Sequence, residues 1–374
     1  MAKIHFLYLD IQTGTYHGVN HGIAVLAAVL KQAGHRVSLH HLTGEVNPRE
    51  VLKQIADIQP HLAAFSCTTN QYGFLEKYAK AIKERFNIPI LVGGIHASLC
   101  PEEVIANPYV DMVCIGEGEY ALRELAIRID KAHDFTGIAN LWIKNSAKAI
   151  IKDKVGLQVK NLDELPLPDY ELFDMQRILR ETNATLYLMG SRGCPFDCNY
   201  CCNQALSSIY GSSRYLRSYS VNYLLDMIEQ LKHKFNPRQL FFEDDTFSLN
   251  KKWCLDFCRQ YKAKLGLSFG ANIRLDTISE ELISALKDAG CNRLNFGIES
   301  GNEWLRKNIL NRNISNQEII ERVGLIKKHH IKTYSYNMMG LPFETQEMIR
   351  DTITLNQQVE IDSGDVFFFY PFPK

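Results

Sequence analysis

The chain has 374 residues, 46% hydrophobic and 22% charged, enough for one or two packed cores. Its 42 Lys and Arg balance 42 Asp and Glu, so the formal net charge is zero. That balance excludes recruitment of nucleic acid or of an anionic membrane by bulk charge.

The opening MAKIHFLYLD is too short, and lacks the small-residue cleavage site, for a signal peptide. It reads as a buried strand over 4–10. No stretch approaches the roughly 20 apolar residues that span a bilayer, and a cytoplasmic protein is expected. Helical periodicity from His21 to Ala33 ends at Gly34, a residue suited to the C′ position. A strand over 36–42, a helix over 48–58, a strand over 61–67 and a helix over 74–86 follow. Next come a strand over 88–94, a short helix over 101–106, a strand over 111–118 and a helix over 120–129. This βαβα order predicts an α/β fold, a doubly wound parallel sheet of flavodoxin or Rossmann type, over residues 1–135.

Residues 136–182 are less regular. LWIKN and AIIKD read as a β-ribbon, and LDELPLPDYELFD (162–174), with Pro166 and Pro168, as an extended linker marking the domain boundary. A second βα series fills 183–374. Its strands are expected at 186–193, 239–245, 268–274, 293–299, 332–340 and 365–372. Six parallel strands with helices outside predict a partial (β/α)6 barrel whose chemistry sits at the strand C-terminal ends. A last parallel strand should be covered by a helix, yet the sequence reaches Lys374 directly after it. The expectation is a truncated sequence lacking that helix and a C-terminal cap. The aromatic run VFFFYPF (366–372) would pack the barrel and that cap.

Ten cysteines in a reducing cytosol are not a disulfide framework. Cys194, Cys198 and Cys201 stand in a C-x3-C-x2-C loop at the end of the first barrel strand. Thiolates are the soft ligands iron–sulfur clusters require. Three of them can hold three irons of a cubane and leave the fourth open to a substrate or cofactor. The alternatives are a chance cysteine cluster or a zinc site with Cys202 as fourth ligand, but adjacent cysteines rarely close one tetrahedral ion. Cys254 and Cys258, four apart on an expected helix, read as buried thiols. Cys67, Cys100, Cys114 and Cys291 carry no partner pattern.

The segment CPFDCNYC (194–201) resembles the cluster motif of the radical S-adenosylmethionine (SAM) superfamily. The resemblance implies a [4Fe–4S] cluster on Cys194, Cys198 and Cys201, with SAM chelating the open iron and cleaved to a 5′-deoxyadenosyl radical. It implies that Tyr200 packs near the adenine. In FFEDDTF (241–247), Glu243 and Asp244 are candidates for the SAM ammonium, with Asp245 facing substrate or structure. In ANIRLD (271–276), Arg274 could pair with the SAM carboxylate. In NFGIESG (295–301), Glu299 is a candidate for the ribose hydroxyls or the ammonium. In MMGLPFET (338–345), Gly340 to Pro342 would line the adenine, with Phe343 where relatives often carry glycine. For each carboxylate, a capping or salt-bridge role is the competing reading. No catalytic residue is assigned.

The first domain resembles the cobalamin-binding domain of one radical SAM subclass. The resemblance rests on HGIAVLAAVLKQAGHRV (21–37), AAFSCTTNQY (63–72), VGGIHASLCPEEV (92–104) and IGEGEYAL (115–122). It implies that Ser66 and Thr68 face the cofactor's nucleotide tail. Gly93 and Gly94 would allow close backbone approach to it, with Gly116, Glu117 and Gly118 in the same rim. The Asp-x-His-x-x-Gly motif of many cobalamin proteins is absent after Asp10. Cobalamin without a lower histidine is expected; His17 and His21 come later, and for either a surface or capping role is the competing reading to a ligand. A degenerate domain that keeps the fold without the cofactor is the competing reading.

The resemblance implies a cobalamin-dependent methyltransferase acting on an unactivated carbon, on a small-molecule or peptide substrate the sequence does not name. Two other readings stand: a cobalamin-containing radical enzyme that cyclises, oxidises or rearranges its substrate, and a binding or redox-sensing module without turnover. An external electron donor of the flavodoxin or ferredoxin kind is implied.

Overall fold

The computed structural model describes residues 1–11, 18–211 and 216–372. The described residues form two compact units, one of 1–181 with 205–211, the other of 182–204 with 216–372.

The first unit runs β1 (Lys3–Leu9), α1 (His21–Gln32), β2 (Arg36–Leu42), α2 (Pro48–Ile58), β3 (Leu62–Ser66) and α3 (Thr69–Arg85). It continues with β4 (Ile90–Gly93), α4 (Ile95–Leu99), α5 (Pro101–Ala106), β5 (Met112–Cys114) and α6 (Glu119–Asp130). The hairpin β6 (Leu141–Lys144) and β7 (Ile150–Lys152) follows, and α7 (Met175–Glu181) ends the series. Side chains set the helix starts. Asn20 Oδ1 accepts from Ile23 N at 3.0 Å, and Asn47 Oδ1 accepts from Arg49 N ahead of Pro48. Helix α3 begins five residues before the apolar periodicity does, because Thr68 N donates to Gln71 Oε1 at 2.9 Å and Gly73 is tolerated inside the helix.

The strands pair in the order β2-β1-β3-β4-β5-β6-β7. The first five are parallel, and the chain direction of the crossovers reverses between β1 and β3. The ribbon read from LWIKN and AIIKD is the antiparallel edge of this same sheet, with Cys114 opposite Leu141. Leu7, Leu9, Phe65, Val92 and Val113 meet Leu75, Tyr78 and Ile82 of α3 in the core. Each such side chain contributes about 1.5–3 kcal/mol by leaving water.

The second unit opens with β8 (Thr185–Leu188) and β9 (Ser191–Arg192). Then come α8 (Cys202–Ile209), whose residues from 205 on belong to the first unit, β10 (Arg217–Ser218), α9 (Val221–Phe235), β11 (Gln239–Phe242), α10 (Lys251–Lys264) and β12 (Ser268–Ile273). They are followed by α11 (Glu280–Asp288), β13 (Cys291–Glu299), a π-helical turn at Leu305–Ile309 and α12 (Asn316–Lys328). The last elements are β14 (Lys332–Met339), α13 (Gln346–Gln358) and β15 (Ser363–Phe368). The strands β8-β11-β12-β13-β14-β15 lie side by side in chain order, all parallel, as an open half-barrel. Phe242 and Phe269 of the sheet are fully buried against Phe257 and Tyr261 of α10. Cys254 and Cys258 are buried on that helix, as expected.

One expectation holds only in part. Of the aromatic run, Phe369 packs against the Leu305, Leu310 and Met338 cluster, but Phe367 is 51% exposed and Phe368 87%. The reason is the place of β15 at the sheet edge, where it pairs with β14 alone among the described strands. Among the described residues, no helix is long and apolar enough to cross a membrane.

Candidate functional site

In the second unit the strand C-terminal ends gather the residues with chemistry. Gly193, at φ +89°, turns the chain out of β9 into the cysteine loop. Cys198 is buried, while Cys194 and Cys201 are partly exposed. The loop is stitched to the segment after the π-helical turn. Asn199 N donates to Leu310 O at 3.1 Å, Asn199 Nδ2 to Ile309 O at 2.9 Å, and Asn311 Nδ2 to Asp197 O at 2.6 Å.

Burial pushes the Cys194 thiol up. The neighbouring Cys202 thiol draws Cys201 down, and Cys202 is correspondingly raised. Asn203 Nδ2 also lies 3.5 Å from Cys201 Sγ. Among the described residues, Cys194, Cys198 and Cys201 do not gather all three sulfurs within 4.8 Å of one another. One tetrahedral zinc with bonds near 2.3 Å would need sulfurs about 3.8 Å apart. Three thiolate donors on one loop are the donor chemistry that a cubane cluster requires.

Arg274, at the end of β12, reaches this loop. Its Nη1 donates to Cys198 Sγ at 3.2 Å, and its guanidinium lies 3.6 Å from the centre of the Phe196 ring. Its Nε and Nη2 bind Asp276 at 3.0 and 2.7 Å. The fork expected for a SAM carboxylate is therefore already held by Asp276, which the sequence did not single out.

Glu299, Tyr200 and Arg312 form the second group. Tyr200 Oη donates to Glu299 Oε1 at 3.0 Å, and Arg312 Nη1 reaches both oxygens, at 3.0 and 3.2 Å. Arg312 Nη2 binds Gly297 O at 2.8 Å. The backbone explains the aim of Glu299. The β13–β14 register shifts between Gly297 and Glu299, and Glu299 sits at φ +66°. A side chain at Gly297 would fall 2.0 Å from Glu299 Oε1, so only glycine fits. Burial pushes the Glu299 carboxyl up, against the pull of Arg312. Arg312 was not found from sequence; thirteen residues and a π-helical turn separate it from Glu299, so no local pattern marks the pair.

At the end of β14, Gly340 N and Leu341 N donate to Glu344 Oε2 at 2.6 and 3.3 Å. Leu341 packs with Leu305, Leu310 and Met338, and Tyr200 lies against that cluster. Pro342 is exposed. Phe343 sits at φ +65°, backbone natural to glycine, with its ring 77% exposed.

The acidic run after β11 divides its roles. Asp244 is fully buried, with Oδ2 accepting from Gly190 N at 2.9 Å and Oδ1 from Ser191 Oγ. It ties β11 to the turn between β8 and β9. Asp245 is the one beside Cys194, Cys201 and Asn203. Glu243 is half-buried, its N bonded to Leu188 O at 2.8 Å.

In the first unit, the expected rim residues occupy the ends of β3, β4 and β5. Ser66 ends β3 and Thr68 starts α3. Gly93 ends β4. Gly94, at φ +94°, has a more immediate reason to lack a side chain than cofactor approach: a Cβ would stand 2.7 Å from Cys67 O. Gly116, at φ +73°, lies under the Tyr210 hydroxyl, 2.1 Å from where its Cβ would be. That hydroxyl accepts from Glu117 N at 2.6 Å. Glu117 Oε2 accepts from Val159 N, and Glu117 O from Asn140 Nδ2. Gly118 starts α6 against Leu26 and Leu122. Tyr210 was missed because it follows the cysteine motif by nine residues and reads there as part of the barrel. His21 Nδ1 meets Tyr170 Oη at 3.2 Å, while His17 lies outside the described residues.

Comparisons with known proteins agree with both halves. The profile of the Radical SAM superfamily matches residues 188–355, and that of the B12 binding domain residues 11–126. An uncharacterized methyltransferase of Pyrococcus horikoshii, PH0819, is 29% identical over 94% of this chain and 76% of its own length. The anaerobic magnesium-protoporphyrin IX monomethyl ester cyclase of Cereibacter sphaeroides is 23% identical over 94% of this chain, which spans 58% of that enzyme. The radical SAM methyltransferase TsrM of Kitasatospora setae, solved with cobalamin and a [4Fe-4S] cluster, superposes with a TM-score of 0.79. That likeness covers 98% of this chain and 72% of TsrM at 16% identity, and speaks for the fold. With its cysteine loop on a half-barrel and a B12-binding domain ahead of it, the chain belongs to the radical SAM superfamily, in the subclass that carries that domain.

Proposed function

We propose that the chain is a cobalamin-dependent radical SAM methyltransferase acting on an unactivated carbon. The observation that carries the reading is the pairing in one chain of an open three-cysteine loop with a B12-binding domain. A named methyltransferase matching nearly the whole chain supports it.

In this reading Cys194, Cys198 and Cys201 hold the cluster, and Glu299, Tyr200, Arg274, Glu243 and the Gly340–Pro342 backbone line the SAM site. Asp244 holds the turn between β8 and β9 in place rather than touching SAM. Ser66, Thr68, Gly93, Gly94 and Gly116 to Gly118 line the cobalamin rim. When bound, the cluster supplies the electron that cleaves SAM, and cobalamin carries the methyl group. The chain's own residues orient and exclude. Arg312 fixes the Glu299 carboxylate, leaving Oε2 to accept from the ribose or ammonium of SAM. Arg274 donates to a cluster sulfur, which favours the reduced state electrostatically. Leu305, Leu310 and Leu341 keep water from the Tyr200 side of the pocket. An external low-potential donor supplies the electron.

A second reading, a cyclase or other non-methylating radical enzyme, is favoured by the magnesium-protoporphyrin cyclase among the relatives. Anaerobic turnover with SAM and a reductant separates the two. Methyl transfer predicts S-adenosylhomocysteine together with 5′-deoxyadenosine. 5′-Deoxyadenosine alone would transfer the case to the second reading, and neither product from cluster-loaded protein would end both.

A further inference from the structure

The B12-binding domain holds one more constellation of ligand-type side chains, used by nothing described above. His96 on α4, Cys100 at the α4–α5 corner and Glu103 on α5 follow each other at spacings of four and three. Their ligand atoms all lie within 4.8 Å of one another.

His96 is the informative member. Its side chain is 3% exposed and its ring stacks on Tyr72 at 4.3 Å. Nδ1 lies 3.2 Å from Thr69 Oγ1. Nε2 is buried and has no hydrogen-bond partner. It points toward Glu103 Oε2 at 3.8 Å, too far for a hydrogen bond. Leaving such a nitrogen unsatisfied costs about 1–3 kcal/mol. With Nδ1–H donated to Thr69, Nε2 presents a lone pair, the arrangement found in metal-binding histidines whose other nitrogen is held by a partner. The 3.8 Å gap is slightly longer than the about 3.4 Å between two ligands 2.1 Å from one tetrahedral ion.

We propose that His96 Nε2, the Cys100 thiolate and the Glu103 carboxylate bind a zinc(II) ion, with water in the fourth position. Imidazole, thiolate and carboxylate together suit zinc, whereas magnesium and calcium require oxygen ligands throughout. The charges balance: binding releases the Cys100 thiol proton, and one thiolate plus one carboxylate neutralise the ion. The ion clips together two helices of five and six residues, too short to hold their corner by themselves. It thereby fixes the segment that follows Gly94. The site is chemically distinct from the iron site and stands whether or not the chain transfers methyl groups.

The test uses the full chain with Cys194, Cys198 and Cys201 changed to Ser, so that no cluster thiolate competes, titrated anaerobically with Co2+ and then Zn2+. The expected result is one Co2+ per chain with a thiolate charge-transfer band, displaced by Zn2+. The band is lost on adding Cys100→Ser or His96→Ala, and affinity falls about 10–100-fold on adding Thr69→Val. A band that survives Cys100→Ser, or no Co2+ bound by folded protein, overturns the proposal. If the triple variant does not fold, zinc per chain is measured in the cluster-loaded protein with and without His96→Ala. Zinc lost in the variant supports the site; equal or absent zinc in both overturns it.

Discussion

Tyr200, the residue before Cys201, donates its phenol hydrogen to Glu299 Oε1 at 3.0 Å, across 99 residues of sequence. Arg312 binds both partners, so the three act as a unit. Glu299→Gln leaves the Arg312 guanidinium buried without its counter-charge. Breaking a buried pair from one side costs about 3–5 kcal/mol. Urea unfolding of the variant should show a loss of that order; a loss below about 0.5 kcal/mol would mean the pair is not formed in solution.

Gly297→Ala tests the same geometry without changing charge. Its new methyl would sit 2.0 Å from Glu299 Oε1 and 2.9 Å from Arg312 Nη1. Displacing both is expected to cost about 1–3 kcal/mol and to weaken SAM binding, read by equilibrium dialysis. Wild-type stability and affinity in this variant would contradict the assigned position of the carboxylate.

Asp244 gives a pH signature. Burial raises its carboxyl from 3.8 to about 6. Between those values the folded state binds more protons than the unfolded state. This residue's contribution therefore favours folding at the low end of the window and is lost as pH rises through about 6. Relative to Asp244→Asn, which does not titrate, wild type should lose unfolding free energy across that window. Parallel pH profiles for the two proteins would contradict the shift.

The sequence reading went furthest where chemistry is local. The three cysteines, the glycine turns and the strand–helix alternation are written in consecutive residues, and each strand of the half-barrel lies within a few residues of its expected place. It went least far where a side chain acts across the fold. Asp244 sits in an acidic run that looks uniform, and only the turn at Gly190–Ser191 shows which carboxylate turns inward. Arg312 and Tyr210 had no signal because their partners are distant in sequence, and Asp276 had none because nothing local tells that it takes the Arg274 fork. The aromatic run of β15 reads as core by composition, yet burial depends on what lies across it.

Tyr210 and Gly116 allow a coupled test. Tyr210→Phe removes the acceptor for Glu117 N, an expected cost of about 1–3 kcal/mol. Gly116→Ala both strains the left-handed backbone and meets the Tyr210 hydroxyl. Adding Tyr210→Ala to Gly116→Ala should relieve part of that clash. A double-mutant cycle is expected to give a coupling of about 0.5–3 kcal/mol, and strictly additive losses would contradict the contact.

The most direct measurement of the central claim is cofactor content. The chain is reconstituted anaerobically with iron, sulfide and hydroxocobalamin, desalted, and assayed for metal and for cobalamin by its visible spectrum. The account predicts about four irons per chain and stoichiometric cobalamin in the same preparation. Cys198→Ala should lose the iron while keeping the cobalamin. Folded protein that binds the cluster but no cobalamin, or that keeps its iron without Cys198, would contradict it.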